Sequence, residues 1–445
     1  MALRRNILAS PGRTVLLSIF FTICVGTLFL ALPIAQKTYV PPLDCFFTAT
    51  SATCVAGVLT VPFNSFTLFG KSIILALIQI GGLGLLTLTL FLASLFFNLG
   101  LSTQLMVGQL FEIDSWRTTR RVLLFVISFT FLCEGIAAAL IYQIIKHQFP
   151  TQEAVFHAFF HSISSFNSAG LSSFGNSLIN YSANIPLLSV TAFLIIAGGF
   201  GFVTWYELFM YGYSRFFTHK RFHISLTTRI VLIMSVAVIV IATLLLIVLE
   251  GPSHFYHAPW WLTCSNMLFN AIAYRSAGLT TIDIHTMQSA TVFLIIMYSF
   301  IGSSPASTGS GIKITTFTLF LATIRAVMTG RTTVDLKGRR IPQDQIFKAM
   351  AILSLSFCWI IFSTFCLLLI ESKASFIGVF FETVSSFTTL GLATEITPFL
   401  SPLGKLLIIV NMFIGRVGSL TLLLALKTRV DRVDFQYPEE RLMIS

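Results

Sequence analysis

The 445-residue chain is 55% hydrophobic and 10% charged, whereas soluble proteins carry about a quarter charged residues. This composition excludes an ordinary soluble protein and predicts an all-α polytopic membrane protein. The net charge of +11 is interpreted as a topology signal, not as nucleic-acid binding, because most Lys and Arg residues lie between the apolar runs and at the termini. The positive-inside rule then places both termini in the cytoplasm. We expect a multi-pass protein of the inner (cytoplasmic) membrane.

The apolar runs predict eight membrane spans, since a spanning helix needs about 20 apolar residues. Seven runs are long: Val15–Pro33, Ser72–Phe97, Val122–Ile145, Leu187–Tyr211, Ile230–Leu249, Ala349–Ile370 and Leu403–Leu426. Two shorter runs, Ala290–Ile301 and Ile314–Met328, flank the polar stretch GSSPASTGSGIK. Together they predict one span that is broken in the middle, whereas the corresponding spans elsewhere are expected to run on without a break.

Two glycine features repeat along the chain. The segments SATCVAG, SSFNSAG, AYRSAG and SSFTTLG end at Gly57, Gly170, Gly278 and Gly391, which are 113, 108 and 113 residues apart. A second feature, QIGGLG, IAGGFG, FIGSSP or FIGRVG, follows each of them 24 to 28 residues later. This regularity indicates four internal repeats.

Each repeat also contains a half-apolar segment that is too short to cross a bilayer and is therefore predicted to be re-entrant. These segments are Leu43–Ser51, Glu153–Phe166, Ala258–Ile272 and Ser375–Phe387. The chain thus has the pattern M1–P–M2 four times: a first span, a pore helix and a second span. The basic linkers fall between repeats, so the repeats are parallel and predict a pseudo-fourfold ring about the membrane normal. The expected boundaries are 1–98, 99–214, 215–340 and 341–427 for the repeats, with a gating loop at 302–313 and a cytoplasmic tail at 428–445.

Four glycine loops at membrane depth are typical of a cation pore. Non-helical backbone is tolerated there only where it is buried in protein or lines a water-filled cavity. The carbonyl oxygens of such loops can replace the water shell of a cation, and the carboxyl ends of the pore helices favour positive charge. The only charged residue in the loops, Arg275, is expected to point away from the axis.

The repeated units, together with SISSFNSAG, RSAG, FIGSSPASTGSGIK, FIGRVGSLTL and YPEERLMIS, resemble the Trk/Ktr/HKT superfamily of potassium transporters. Because two extra spans are not seen before the first repeat, the chain is more similar to the KtrB members than to the TrkH members. The resemblance implies channel-like potassium uptake, a homodimer with one pore per subunit, and a cytoplasmic RCK-type nucleotide-binding regulatory partner. It implies no cofactor in this chain, and it leaves open whether sodium is carried or acts as an activator.

The resemblance also implies which residues form the selectivity filter. Carried over by position, they are Cys54, Val55, Ala56 and Gly57; Asn167, Ser168, Ala169 and Gly170; Arg275, Ser276, Ala277 and Gly278; and Thr388, Thr389, Leu390 and Gly391. The family usually has threonines where this chain has Cys54 and Ala56. The glycine at position 57, in place of a serine, resembles the potassium-selective members.

The polar stretch in the third M2 is predicted to be a gate beneath the filter, the alternative being a packed helix break. Its glycines supply flexibility, Pro305 prevents a continuous helix, and the resemblance implies an intramembrane loop that obstructs the pore. The predicted gate residues are Gly302, Ser303, Ser304, Pro305, Ala306, Ser307, Thr308, Gly309, Ser310, Gly311, Lys313 and Arg416.

Charged residues within spans are functional candidates. Arg416 either faces the cavity below the filter as an electrostatic barrier or pairs with Glu134 or with loop carbonyls. Glu134 is expected to pair with a group that supports the filter, the alternative being that it binds the permeant ion. Lys313 either acts in the gate or extends to the cytoplasmic edge. His157 and His161 are expected to pack within a helix bundle and not to bind metal. A disulfide among Cys45, Cys54 and Cys264 is left open.

Two other function classes are weighed against the pore. An ion-coupled secondary transporter of another small solute also uses broken helices, but it favours inverted repeats, whereas these are parallel. A membrane enzyme would need clustered His, Asp, Glu or Cys at membrane depth, and the sequence has no such cluster, so we predict that the protein is not an enzyme.

Overall fold

The computed structural model describes residues 11–84, 116–218, 222–254, 258–394 and 396–418. In chain order its α-helices are α1 (Pro11–Leu30), α2 (Pro42–Cys54), α3 (Leu68–Leu83), α4 (Trp116–Ile145), α5 (Thr151–Phe166), α6 (Ile185–Gly199), α7 (Phe202–Tyr213), α8 (Leu226–His254), α9 (Trp260–Ala273), α10 (Ser289–Phe300), α11 (Ile314–Met328), α12 (Gln343–Ile370), α13 (Phe376–Thr388) and α14 (Pro402–Val417). A small antiparallel hairpin pairs β1 (Asp335–Leu336) with β2 (Arg339–Arg340).

The first spans of repeats two, three and four are long apolar helices. The segment Arg121–Ile145 of α4, together with α8 and α12, has the length and composition to cross a membrane. Their outward surfaces are apolar: on α8, Val236, Leu244 and Val248 are all more than half exposed. Apolar side chains on that surface suit contact with lipid, whereas the backbone groups are satisfied within each helix.

The four predicted re-entrant segments are helices, α2, α5, α9 and α13, of 13 to 16 residues. Three of them follow a proline directly, at Pro41, Pro150 and Pro259. Proline is accommodated at a helix start because the first N–H groups have no acceptor within the helix. The carboxyl half of each helix is almost entirely buried, so all four helices end inside the protein.

The packing of these short helices closes a ring. Each short helix packs against at least one long helix of its own repeat. It also packs against the second span of the preceding repeat, since α5 contacts α3, α9 contacts α6, and α13 contacts α10. The first, α2, contacts α14 of the last repeat. The side chains Asp44 and Lys405 join the same two helices through an ion pair of 2.6 Å.

The second spans end or bend where the sequence reads G-x-x-G. Helices α3 and α14 end just before Gly84 and Gly418, and α6 ends two residues before Gly201; these three glycines have φ of 79°, 82° and 84°. Glycine adopts this left-handed backbone without the cost that a side chain would impose. The prediction that Leu187–Tyr211 is a continuous span is therefore wrong, because α6 and the helix that follows meet at a bend of 98°. The continuations of the first and last repeats, after residues 84 and 418, lie outside the described ranges.

Candidate functional site

The ends of three pore helices share a left-handed backbone turn. Val55, Ser168 and Thr389, each two residues before the repeat glycine, have φ of 58°, 57° and 52°. A left-handed residue after the last helical turn is a common way to end a helix and redirect the chain. The third repeat differs, since Ser276 at the equivalent position does not have a positive φ.

The four repeat glycines meet at the centre of the ring. A Cβ atom built on Gly57 would lie 2.4 Å from the carbonyl oxygen of Ala169, and one on Gly170 would lie 2.8 Å from the Cα of Gly391. One on Gly278 would lie 2.7 Å from the same Cα. All four glycines also have positive φ, between 59° and 92°. Both the space and the backbone conformation therefore require glycine at these positions.

The predicted filter residues accordingly lie together, at the inner ends of the four pore helices. All are buried except Gly57, Gly170 and Gly391, which are half-buried. The charged member, Arg275, is buried, and its Nε donates to the carbonyl oxygen of Gly302 at 3.2 Å. Its guanidinium is thus held by the broken span, and the groups offered at the glycines are backbone ones, which suit a desolvated cation.

The predicted gating loop is folded back on itself between α10 and α11. The N–H of Gly302 donates to the carbonyl oxygen of Ile312 at 2.9 Å, and the N–H of Ser303 donates to that of Ser310 at 3.3 Å. A Cβ built on Gly302 would lie 2.8 Å from the Cα of Gly311. The two ends of the loop therefore touch, and residues between them form a closed protrusion.

That protrusion is attached to the second repeat. The N–H groups of Ser304 and Thr308 donate to the carbonyl oxygens of Gly199 and Gly198 at 3.1 and 3.2 Å. These carbonyls belong to the last turn of α6, where the carbonyl oxygens have no N–H donor within their own helix. The hydroxyl of Thr308 also donates to the carbonyl oxygen of Phe166, the last residue of α5, at 3.1 Å. The loop thus lies directly against the pore helix of repeat two.

Arg416 connects the same loop to the first repeat. Its Nη1 donates to the carbonyl oxygen of Thr308 and, at 3.3 Å, to the hydroxyl of Ser310. Its Nη2 donates to the carbonyl oxygens of Gly81 and Gly82 at the end of α3. The sequence allowed Arg416 to pair with Glu134 or with loop carbonyls. The described hydrogen bonds of Arg416 go to loop and helix-end carbonyls and to one hydroxyl, and not to Glu134. The same side chain also lines a cavity, so its pairing with carbonyls is compatible with the electrostatic barrier.

The cavity has a volume of about 250 Å³ and lies between the ends of the second spans and the loop. Its lining includes Thr53 of α2, Thr22 of α1, Ser307 and Ser310 of the loop, and Arg416. Lys313 also lines it, and no described lining residue is acidic. The positive charges of Lys313 and Arg416 repel a cation that enters the cavity. This repulsion is strong in a region of low dielectric, because no carboxylate among the described lining residues offsets it.

A contact within the loop favours the gate alternative for Lys313 over extension to the cytoplasmic edge. The residue directly precedes α11, and its Nζ donates to the carbonyl oxygen of Gly309 at 2.8 Å. The ammonium group is therefore held within the predicted gate.

Glu134 makes the contact expected of it. The Nδ2 of Asn167, the first predicted filter residue of repeat two, donates to Glu134 Oε1 at 3.1 Å and to Gln79 Oε1 at 2.8 Å. The Nε2 of Gln79 donates to Glu134 Oε2 at 3.0 Å. These three side chains form a closed hydrogen-bonded group at the start of the glycine loop of repeat two. Sequence reasoning missed Gln79, although it begins the quoted motif QIGGLG.

The first glycine of each G-x-x-G motif has a packing role that sequence reasoning also missed. A Cβ built on Gly81 would lie 2.0 Å from the carbonyl oxygen of Thr53, and one on Gly198 would lie 1.9 Å from that of Phe166. In repeat four, Gly415 has the same relation to Phe387, at 1.8 Å. Each of these carbonyls lies four residues before a filter glycine. The second spans therefore approach the pore-helix ends more closely than any side chain would allow.

Adjacent glycines allow this packing role to be tested. A Cβ on Gly198 meets backbone, whereas one on Gly199 meets nothing within 4 Å. We expect Gly198→Ala to lower the thermal stability of the detergent-solubilised protein, since overpacking costs about 1–3 kcal/mol. Gly199→Ala is expected to leave stability unchanged or to raise it slightly, because alanine favours helix by up to about 1 kcal/mol. Equal melting temperatures for the two variants would contradict the assigned packing role.

The histidine and cysteine side chains that could bind a metal ion are instead packed against other side chains or are free thiols. The ring of His157 stacks on Phe174 at 5.4 Å, and His161 Nε2 lies 2.9 Å from the hydroxyl of Thr191. Across the described ranges no three His, Cys, Asp or Glu residues form a group suited to a metal ion. All seven cysteines are free, so the disulfide that the sequence left open is not formed.

Long apolar helices, together with four short helices that end at buried glycine loops, define this chain as a helical membrane protein. The family model described as TrkH, cation transport protein, matches residues 22–432. The chain therefore belongs to the TrkH family of cation transport proteins. The resemblance to the Trk/Ktr/HKT superfamily is confirmed, and because this is a family of ion transporters, so is the prediction of a protein that is not an enzyme.

Several relatives match over nearly their whole length. The Ktr system potassium uptake protein B of Bacillus subtilis is 32% identical over 440 residues, covering 97% of this chain and 96% of its own. The protein of the same name from Vibrio alginolyticus is 33% identical, covering 97% and 94%. The potassium/sodium uptake protein NtpJ of Enterococcus hirae is 28% identical, covering 98% and 97%. The crystal structure of the potassium transporter TrkH from Vibrio parahaemolyticus has the same fold, with a TM-score of 0.72 at 18% identity, covering 95% of this chain and 86% of that one.

Proposed function

We propose that this protein is a channel-like potassium uptake subunit of the cytoplasmic membrane. The observation that carries the proposal is the meeting of Gly57, Gly170, Gly278 and Gly391 at the inner ends of four pore helices. Their loops offer backbone oxygens to a cation that has lost its water shell. A negative-inside potential drives entry, at about 2.3 kcal/mol per charge for each 100 mV.

Selection of the ion is assigned to the sixteen residues of the four loops, from Cys54–Gly57 to Thr388–Gly391. Family membership and the names of the relatives support potassium as the ion. One relative is named a potassium/sodium uptake protein. Whether sodium passes through or activates this chain is therefore measured in the experiment below.

Control of the flow is assigned to the loop 302–313 together with Lys313 and Arg416. The loop's attachment to α6 and α5, and the basic lining of the neighbouring cavity, support a closed gate on the cytoplasmic side of the filter. In this proposal the chain has eight spans in four M1–P–M2 repeats, with the boundaries given above and both termini in the cytoplasm.

The proposed partners are a second copy of the chain and a cytoplasmic RCK-type nucleotide-binding subunit. The Ktr system names of the relatives support association with further components. The candidate contact segments are 325–348 and 427–445. The first contains the β1–β2 hairpin, on which Arg339 and Arg340 are exposed; the second lies outside the described residues.

The test is rubidium uptake in cells that lack their own potassium uptake. The chain is expressed alone and with an RCK-type subunit, and potassium and sodium are added as competitors. A potassium pore predicts rubidium uptake that potassium suppresses much more strongly than sodium, and that the partner increases. Absence of uptake in both settings, with the protein present in the membrane, would overturn the proposal and favour ion-coupled transport of another solute.

A further inference from the structure

The residue three positions after each repeat glycine carries a hydroxyl group. These residues are Thr60, Ser173, Thr281 and Thr394, in the motifs GVLT, GLSS, GLTT and GLAT. They lie on the limb of each loop that leaves the glycine toward the second span. Thr60, Ser173 and Thr281 are buried and Thr394 is partly buried. A buried hydroxyl normally has a hydrogen-bond partner. The partners of these hydroxyl groups show how the outgoing limb of each loop is attached to the rest of the protein.

In two repeats the partner is a polar side chain on the repeat's own pore helix. The hydroxyl of Thr60 donates to Asp44 Oδ1 at 2.7 Å. The N–H and the hydroxyl of Thr281 lie 3.1 and 3.3 Å from Asn270 Oδ1, and Asn270 Nδ2 lies 3.1 Å from the same hydroxyl. Each bond ties the outgoing limb of a loop to the helix that delivers the incoming limb.

The fourth repeat has the strongest version of this contact. Glu382 lies fully buried on α13. Its Oε1 accepts from the N–H of Thr394 at 2.6 Å, from the hydroxyl of Thr394 at 2.8 Å, and from the hydroxyl of Thr397. Its Oε2 has no hydrogen-bond partner in the described structure. One carboxyl oxygen thus gathers three donors of the outgoing limb, so a single side chain of α13 fixes the loop at two residues beyond the glycine.

The second repeat uses another arrangement. The hydroxyl of Ser173 has no hydrogen-bond partner in the described structure. Instead, the hydroxyl of Ser164 on α5 donates to the carbonyl oxygen of Leu171, one residue after the glycine, at 2.6 Å. Ser385 makes the equivalent bond to Leu392 in repeat four. Every loop is therefore tied to its own pore helix at least once, and the fourth loop is tied twice.

We propose that these pore-helix side chains, and Glu382 foremost, are positioning residues for ion selection. A filter loop that is fixed at the helix end alone leaves its glycine carbonyl free to tilt. A second fixed point just beyond the glycine holds that carbonyl at one distance from the axis, on which discrimination between potassium and the smaller sodium ion depends. The inference rests on the proposed function, since it assigns a role within the same filter.

The test compares removal of the acceptor with its conservative replacement. Glu382→Leu removes all three bonds, whereas Glu382→Gln retains an oxygen at Oε1 and places its amide nitrogen where Oε2 has no partner. Thr394→Val removes one donor with little change in volume and serves if the leucine variant does not fold. Ser173→Ala is the matched control, because the Ser173 hydroxyl bonds to none of the residues that the structure describes. The measured quantity is the ratio of initial rubidium to sodium uptake at equal amounts of membrane protein.

We expect the ratio to fall about tenfold in Glu382→Leu and about threefold in Thr394→Val. The ratio in Glu382→Gln and in Ser173→Ala is expected to stay within about twofold of the parent. A purely structural role would lower both uptakes together and leave the ratio unchanged. An unchanged ratio in Thr394→Val, or an equal fall in Ser173→Ala, would overturn the inference.

A second measurement separates this inference from the proposed function. Potassium stabilises the purified parent against heat, relative to choline, if it binds to the folded protein. We expect this potassium-dependent shift to be smaller in Thr394→Val and unchanged in Ser173→Ala. If the parent itself neither takes up rubidium nor gains stability from potassium, the proposed function fails, and with it the inference; if the parent does both and the variants match it, the inference alone fails.

Discussion

Replacing Gly170 with alanine is expected to reduce rubidium uptake by more than about tenfold. Gly170 has a φ of 71°, and an added Cβ would lie 2.8 Å from the Cα of Gly391 and 3.1 Å from the carbonyl oxygen of Ala277. Backbone strain at a non-glycine residue and crowding against backbone each cost about 1–3 kcal/mol. The backbones of neighbouring loops must move apart to admit the methyl group, and their carbonyl oxygens move with them. Initial uptake rates at equal membrane expression measure the effect.

The matched control is Gly175→Ala in the same repeat. Gly175 also has a positive φ, of 87°, but a Cβ built there meets nothing within 4 Å. The control thus carries the backbone strain without the crowding at the centre of the ring. We expect uptake by Gly175→Ala to stay within about twofold of the parent, since strain alone acts on an exposed loop. Comparable losses in both variants would show that crowding among the four glycines is not what matters.

Deleting residues 303–310 is expected to increase rubidium flux and to make it independent of the cytoplasmic partner. Gly302 and Gly311 already touch, so their direct connection leaves α10 and α11 near their present positions. It removes the contacts of Thr308 with α5 and α6. With the protrusion gone, the cavity beside Arg416 has one barrier fewer. Flux at equal membrane expression, with and without the partner, measures the effect.

The control for this deletion is a variant that keeps the full length of the loop and loses only hydrogen bonds within it. The hydroxyl of Ser307 bonds to Ser303 and Ser304, all within the loop. Ser307→Ala is therefore expected to behave as the parent does, with flux that still depends on the partner. If the deletion variant reaches the membrane in normal amounts and passes rubidium no faster than Ser307→Ala, the loop is not the gate.

Local pattern was enough to predict the four short helices and the break between α10 and α11. The shortness of the half-apolar segments and the polar stretch between two apolar runs are both visible in neighbouring residues. Even so, the predicted helix Leu43–Ser51 extends from Pro42 to Cys54, because proline at the start and the left-handed Val55 at the end set its limits. The sharp bend after α6 follows from the positive φ of Gly201, the last glycine of the motif IAGGFG, and the motif alone does not show that the helix ends there.

The partners of the buried polar side chains could not be predicted in this way. Arg416 donates to Gly81, which is 335 positions away in the chain, and Gln79 bonds to Glu134, 55 positions away. Such contacts are set by how repeats pack and not by any local periodicity. The sequence could state that an intramembrane charge needs a partner, but it could not say which of several carbonyls and carboxylates lay within reach.

The contact between α2 and α14 also constrains how the protein is made. The ion pair that joins them links Asp44 to Lys405, which are 361 positions apart. A ribosome adds about 5–20 residues per second, so the first pore helix enters the membrane tens of seconds before its last neighbour exists. During that interval one flank of the first repeat has no protein partner. The final quarter of the chain is thus the last piece of an assembly, and a polypeptide truncated before α14 is expected to be a substrate for membrane quality control.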